Sequence, residues 1–250
     1  MSNRDETTDD LKTIGRSWAD DLQAEARADG TPNAWFEGLY ARAGRESGYI
    51  PWEHAAPRDV LRTWLGADGE VAHGAAESTS EPDAPTALDV GCGLGDNAAI
   101  LAAAGYAVTA FDLSPSAAEW AGERFGERDI VFEAADLFSL PTEWQGRFDL
   151  VHECYTLQSL TTDRVPAALD ALAACVGPGG RLLVIARALM PGMEVSRPPN
   201  PIPQHVLDAW TADRAPTFGL ERTTFETFEH TRREQVIPHW LGVWQRDAHA

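Results

Sequence analysis

Along residues 88–185 the apolar positions come in short blocks, at 88–90, 107–112, 130–136, 148–153 and 176–185, separated by helix-patterned segments at 97–104, 116–125 and 164–176. Apolar runs of this length bounded by turn residues read as strands buried on both faces. Their alternation with helices predicts an α/β fold, a doubly wound and mostly parallel sheet with helices on both sides. Ligands on such sheets sit beyond the carboxyl ends of the strands, where the strand order reverses.

The flanks have a different pattern. Residues 1–66 carry helical periodicity at 11–27 and 34–43, so a helical N-terminal extension is predicted, followed over residues 67–85 by a linker loop rich in Ala, Ser, Glu, Gly and Pro. The sheet-forming domain then occupies residues 86–250. Pro191, Pro198, Pro199, Pro201 and Pro203 rule out a helix or central strand over 190–203. Two readings of that stretch stand, a lid over an acceptor site or a surface excursion. A helix at 204–213 follows, and then strand-like stretches at 221–230 and 236–246 whose short connection implies an antiparallel hairpin. Trp240 and Trp244 share one face of the last strand and read as core.

Composition narrows the class. The 250 residues are 44% hydrophobic, enough for one large core. No apolar run reaches membrane-spanning length and residues 1–10 have no signal-peptide core, so a cytoplasmic protein without a membrane partner is expected. A net charge of −19 repels phosphate backbones and argues against nucleic acid, leaving a small molecule as substrate. Cys92, Cys154 and Cys175 are too few and too far apart for a disulfide framework or zinc site, and read as packed residues rather than reactive thiols.

Candidate chemistry is concentrated where the first strand meets Gly91-Cys92-Gly93-Leu94-Gly95. Glycines there let the chain turn sharply and bring bare backbone N–H groups to a ligand. A dinucleotide fingerprint wants its third glycine where this chain has Asp96. About 20 residues beyond Gly91, Asp112 ends the second strand, as a ribose-binding acid would; the alternative is a cap for the helix that Ser114 and Pro115 open.

With Asp89 ahead of the three glycines, the loop resembles motif I of class I S-adenosylmethionine-dependent methyltransferases. The likeness continues through Asp112, Asp136, residues 148–153 and the turn-and-strand 176–185. It implies a seven-stranded sheet with an antiparallel C-terminal strand, S-adenosyl-L-methionine as cofactor, and methyl transfer to a small-molecule acceptor by a monomer or homodimer. It also implies cofactor contacts from Asp89, Gly91, Cys92, Gly93, Gly95, Asp112, Leu113 and His152, with Asp136 and the backbone of Leu137 at the adenine. His152, Glu153 and Tyr155, at the end of the fourth strand, would then face the transferred methyl. His152 is the candidate base or orienting group, or else a histidine hydrogen-bonded inside the fold; Glu153 is alternatively a partner for the cofactor's ammonium.

A narrower resemblance lies upstream. Trp35-Phe36-Glu37-Gly38-Leu39-Tyr40 and Tyr49-Ile50-Pro51-Trp52-Glu53 are similar to the aromatic segment of the thiopurine, thiol and halide methyltransferases, which implies that Trp35 and Tyr40 fold over the cofactor. An ordinary amphipathic helix is the other reading. This resemblance makes a thiol the first expectation for the acceptor, with O- or N-methylation, or cofactor binding without catalysis, as alternatives.

Overall fold

The computed structural model describes residues 3–31, 33–53, 56–67, 84–195, 199–232 and 235–249. Three helices come first, α1 (Asn3–Ala28), α2 (Trp35–Ala43) and α3 (Ala56–Ala67). Most of the expected linker loop, residues 68–83, lies outside the described residues. The sheet domain then runs β1 (Thr86–Val90), α4 (Asp96–Ala103), β2 (Ala107–Asp112), α5 (Pro115–Phe125), β3 (Ile130–Ala134), β4 (Phe148–Cys154), α6 (Val165–Cys175) and β5 (Val176–Leu189). It finishes with β6 (Ile202–Pro203), α7 (Gln204–Asp213), β7 (Leu220–Arg232) and β8 (Gln235–Arg246).

The strand order is β3-β2-β1-β4-β5-β8-β7, with β6 added beside β5. Strands β1 to β5 pair in parallel, and β8 runs antiparallel to both β5 and β7. This is the expected doubly wound sheet with its reversed strand. The order reverses at β1, where Val90 is in register with Phe111 of β2 and Glu153 of β4, so the glycine loop leaves the sheet between those strand ends.

Each face of the sheet has its own core. Leu88, Val90, Phe111, Val151 and Leu182 pack with Leu169 and Leu172 of α6 and Trp210 of α7. Ala87, Ala110, Leu150, Leu183 and Ile185 pack with Leu101 of α4 and Leu61 of α3. At eight residues α4 is too short to hold together in water alone. Burial supports it, since a fully buried side chain such as Leu101 contributes about 1.5–3 kcal/mol.

The C-terminal third departs from expectation in detail. Strand β5 extends to Leu189, beyond the expected 176–185. The prolines after it exclude a helix, yet Ile202–Pro203 still pairs with Ala188–Leu189, because an edge position tolerates a missing N–H. Pro238 is accepted inside β8 for a similar reason: it lies just past His239, the last β8 residue paired with β5. Trp240 and Trp244 are core residues as expected, with their indole N–H groups donating to the Ile202 carbonyl (2.7 Å) and the Thr211 hydroxyl (3.0 Å). No helix among the described residues is long and apolar enough to cross a membrane.

Candidate active site

Gly91, Gly93 and Gly95 all have positive φ (58°, 53° and 81°), so the loop curls at the carboxyl end of β1 before α4 begins. A Cβ at Gly91 would fall 2.2 Å from Oγ1 of Thr156, and one at Gly93 would fall 3.0 Å from the Tyr40 hydroxyl. The Cys92 N–H is tied to the Phe111 carbonyl (2.8 Å), and the Gly93 N–H donates to Oδ2 of Asp112 (2.9 Å). The other oxygen of Asp112 accepts from the Ser114 N–H (2.9 Å), while Ser114 itself caps α5 through the Ala117 N–H. Asp112 therefore joins loop to strand and is not the cap of α5. Each of its oxygens has made one of the two hydrogen bonds it can accept from these donors. Burial pushes the carboxyl up to about 6; its two backbone donors oppose the shift, and the charges of Asp89 and Glu37 add to it.

Further along the same edge, exposed Asp136 follows β3 and accepts from the Phe138 N–H (2.9 Å), opening a short turn in which Leu137 is buried. Leu113 projects into solvent beside Asp112, 39% exposed. Apolar and nearly enclosed, Cys92 has its thiol pushed well up, first by burial and then by Asp112, so it is a packed residue and not a nucleophile.

The N-terminal helices cover this edge. Leu94 of the loop belongs to one apolar cluster with Leu39, Tyr40, Ile50, Ala117 and Trp120. Glu37 fastens α2 to the start of α5, accepting from the hydroxyls of Ser114 (2.6 Å) and Ser116 (2.5 Å) and from the Ser116 N–H (3.1 Å). Tyr40 accepts from the indole N–H of Trp52 (3.0 Å), and Trp35 meets Phe36 face to face and Trp52 edge-on. Burial, then the charge of Asp112, pushes the Tyr40 phenol well above its ordinary range, so it stays a neutral donor above the loop. Between this cover and the end of β4 lies a cavity of about 80 Å³ lined by Trp52, Arg58, Gly91, Asn97, Cys154 and Tyr155. A larger open groove of about 500 Å³ runs along α4 beside Arg62, Ile100, Phe125 and Arg128, without the loop glycines or β4 residues.

The three residues expected at the end of β4 separate. His152 is 1% exposed, with Nδ1 2.7 Å from Oδ1 of equally buried Asp89. Of the sequence readings for His152, the histidine hydrogen-bonded inside the fold describes this pair, whose members stand in register on adjacent strands. Glu153, on the opposite face of β4, accepts from the N–H groups of Thr156 (2.6 Å) and Leu157 (2.9 Å) through Oε1, while Oε2 is buried without a partner among the described residues. Burial pushes its carboxyl up to about 8, against those two hydrogen bonds and with a smaller push from Asp89. Tyr155 alone reaches the cavity, and it does so from a left-handed backbone conformation (φ 73°) that a bulky side chain adopts only under constraint from its surroundings.

That constraint comes from residues the sequence reading missed. The Tyr155 hydroxyl lies 2.6 Å from Nε2 of His239 in β8 and is hydrogen-bonded to Arg187 of β5; Arg187 and His239 face each other in the β5–β8 register. His239 is stacked between Tyr155 and Phe228. Burial lowers its pKa to about 4; a hydrogen bond to the backbone of Ile237 opposes this, and the charges of Arg187 and His230 add to it. Arg58 was missed too: from α3 it pairs with Glu53, and with Asp96 at 3.5 Å, at the rim of the same cavity.

A glycine loop with no side chain at 91, 93 and 95, one acid at the end of β2 and another after β3 suit an adenosyl ligand, whose ribose hydroxyls and exocyclic amine are donors. The unpartnered Oε2 of Glu153 suits an ammonium. The residues present thus fit S-adenosylmethionine.

Comparison with known proteins agrees. A methyltransferase domain family matches residues 87–180. A demethylmenaquinone methyltransferase from Clavibacter sepedonicus is 31% identical over 182 residues, 68% of this chain and 69% of its own length. The N-methyltransferase verN from Clonostachys rogersoniana is 36% identical over 76 residues, 30% of this chain but only 26% of that enzyme. In fold, the chain is similar to magnesium protoporphyrin IX methyltransferase from Synechocystis PCC 6803 with bound S-adenosylhomocysteine (TM-score 0.60, 20% identity, covering 79% of this chain and 85% of that one). With the glycine loop, the two acids and the strand order in agreement, the chain belongs to the class I S-adenosylmethionine-dependent methyltransferases.

Proposed function

We propose that the protein methylates a small-molecule thiol presented at the carboxyl ends of β4 and β5. When bound, S-adenosylmethionine supplies an electrophilic methyl on a positively charged sulfur. The loop backbone at Gly91 to Gly95, with Cys92 packed beneath it, would hold the amino-acid end, and Glu153 would accept from its ammonium. Asp112 would take the ribose hydroxyls beside Leu113, and Asp136 with the Leu137 N–H would hold the adenine. Trp35 and Tyr40 would exclude water above the loop. Positioning of this kind is worth far more than proton transfer, roughly 10⁵–10⁸ M in effective concentration against about 10²–10⁴-fold for a general base.

One observation carries the thiol reading: groups able to act as a strong base are engaged elsewhere. His152 faces Asp89 inside the sheet, Glu153 caps a turn, and His239 has a pKa near 4. This gives His152 and Asp89 a positioning role and leaves Tyr155 as the residue touching the acceptor. An acceptor that ionises by itself fits such a site, and thiols, with a reference pKa near 8.5, are already a few per cent thiolate at neutral pH. The test is a panel of thiols, phenols and amines of matched size, with S-adenosylhomocysteine quantified. Thiols turning over at least tenfold faster than the others would support the reading; a phenol or amine preference would replace it with O- or N-methylation. Cofactor binding with no turnover on any class would leave a binding protein.

A further inference from the structure

Arg187 is anomalous in this molecule. The chain has 39 acidic residues against 20 Lys and Arg, and carboxylates are plentiful as partners. Arg45, Arg58, Arg124, Arg214 and Arg222 are each paired with one. Arg187 is half-buried and, among the described residues, has no carboxylate partner; its Nε is enclosed without a hydrogen bond, and its side chain is hydrogen-bonded to the Tyr155 hydroxyl. Taking a guanidinium out of water without a carboxylate partner is costly, and its pKa is lowered here first by that desolvation, against the opposing contribution of Tyr155. The fold fixes the backbone that carries it. The Arg187 main-chain N–H donates to Oε1 of buried Gln158 (2.8 Å), and the Gln158 carbonyl accepts from the Asn200 N–H (2.7 Å). A guanidinium without a carboxylate partner, hydrogen-bonded to a residue that lines the cavity, is the signature of a site completed by an anion.

We propose that Arg187, together with the Tyr155 hydroxyl, is an anion-binding subsite selecting a methyl acceptor that carries a carboxylate. The subsite rests on the methyl-transfer reading above for its purpose, but not on the acceptor atom being sulfur. A planar guanidinium matches a carboxylate through two parallel hydrogen bonds. Tyr155 links the two, lining the cavity while its hydroxyl lies on Arg187 and His239, so an acid gripped there would present its remainder toward the methyl. His239, held neutral, keeps Tyr155 oriented without placing a second fixed charge in the pocket. With a net charge of −19 the molecule as a whole repels anions, so any preference for one must arise locally.

Benzoate and benzamide, the same shape with and without the charge, test this by calorimetric titration of the full chain saturated with S-adenosylhomocysteine. Benzoate is expected to bind at least about tenfold more tightly than benzamide, as a charge-assisted pair requires. Arg187→Gln should abolish that preference while leaving benzamide and S-adenosylhomocysteine affinities within about twofold, and Arg187→Lys should retain part of it. Should the glutamine variant fail to fold, the wild-type preference and its partial loss in Tyr155→Phe still decide the matter. Equal binding of the two probes, no binding of benzoate, or a preference that survives Arg187→Gln would overturn the subsite. Thiols turned over regardless of a carboxylate would also overturn it while leaving the thiol reading intact; a benzoate preference without thiol turnover would do the reverse.

Discussion

The two edges of the cleft are built by opposite means. The cofactor edge is built from chain turns: Gly91 to Gly95, Asp112 and Asp136 stand at the ends of three consecutive strands, and backbone N–H groups set the two acids, Ser114 and Gly93 for Asp112 and Phe138 for Asp136. The acceptor edge is assembled from Tyr155, Arg187 and His239, which meet through the β4–β5 and β5–β8 pairings. The first edge is bare backbone and carboxylate, suited to hydroxyl, amine and ammonium donors. The second is a guanidinium, a phenol and a neutral imidazole, suited to the opposite partner. On the proposed reading, a methyl donor that carries positive charge and an acceptor that brings negative charge would be sorted to different sides of one strand end.

The strongest way to break this division is at the loop. Gly93→Val puts a branched side chain into a left-handed backbone position, with its Cβ 3.0 Å from the Tyr40 hydroxyl. Loss of measurable cofactor binding is expected by titration calorimetry, and a variant that still saturates normally would show that the loop is only a turn. Next in size, if Asp112 takes the ribose as proposed, Asp112→Ala removes two charge-assisted hydrogen bonds, each worth about 1.5–3 kcal/mol, so a drop of roughly 100-fold or more in cofactor affinity is expected. His152→Ala should do the reverse. It leaves Asp89 buried and unpaired and lowers the melting temperature, while changing cofactor affinity by less than about threefold. Equal effects of the two variants on cofactor affinity would merge the roles kept separate here.

The same contrast explains what could be read from the chain alone. Strand blocks, the glycine loop and the acids at strand ends are periodic or contiguous signals, and the structure has them close to where the residues predict. Residues at the end of β4 were legible as positions but not as directions. Alternation along a strand sends His152 to one face and Glu153 to the other, and a one-residue change of register would exchange them. Arg187 and His239 were invisible for a different reason: a pairing between β5 and β8 joins residues 52 apart in the chain (239 minus 187), and no spacing rule connects them. The one available signal was two polar side chains set in otherwise apolar strands. Arg58 was hidden too, on α3, which lies outside the helical stretches legible at 11–27 and 34–43.

Between the edges stands Glu153, whose carboxyl has its pKa pushed up to about 8 by burial. The folded protein then binds a proton there that the unfolded chain releases above its ordinary value near 4.3. That contribution to stability is fully present below about pH 4 and is lost as pH rises through the folded value. Glu153→Gln keeps an oxygen to accept from Thr156 and Leu157 but does not titrate. Relative to the variant, the wild type should lose roughly 2.5 kcal/mol between pH 5 and pH 7, since each unit in that window is worth up to about 1.4 kcal/mol. Denaturant midpoints at several pH values measure it. Parallel curves would mean that Glu153 is ionised throughout and already paired, which would remove it as a partner for the cofactor ammonium.

The smallest effect concerns Asp112 and sharpens the cofactor side alone. To accept two ribose hydroxyls its carboxylate must be ionised, and burial has pushed its pKa up to about 6. Cofactor affinity should therefore be flat above about pH 7 and fall about tenfold between pH 7 and pH 5, as the ionised fraction drops from roughly nine-tenths to one-tenth. By reciprocity the bound cofactor lowers that pKa, so binding near pH 6 releases a proton, and calorimetry in buffers of different ionisation enthalpy counts it directly. In Asp112→Asn both the slope and the released proton should vanish. A slope that persists in this variant would mean that a group other than Asp112 titrates, and would make the ribose contact one that the β2 carboxylate does not control.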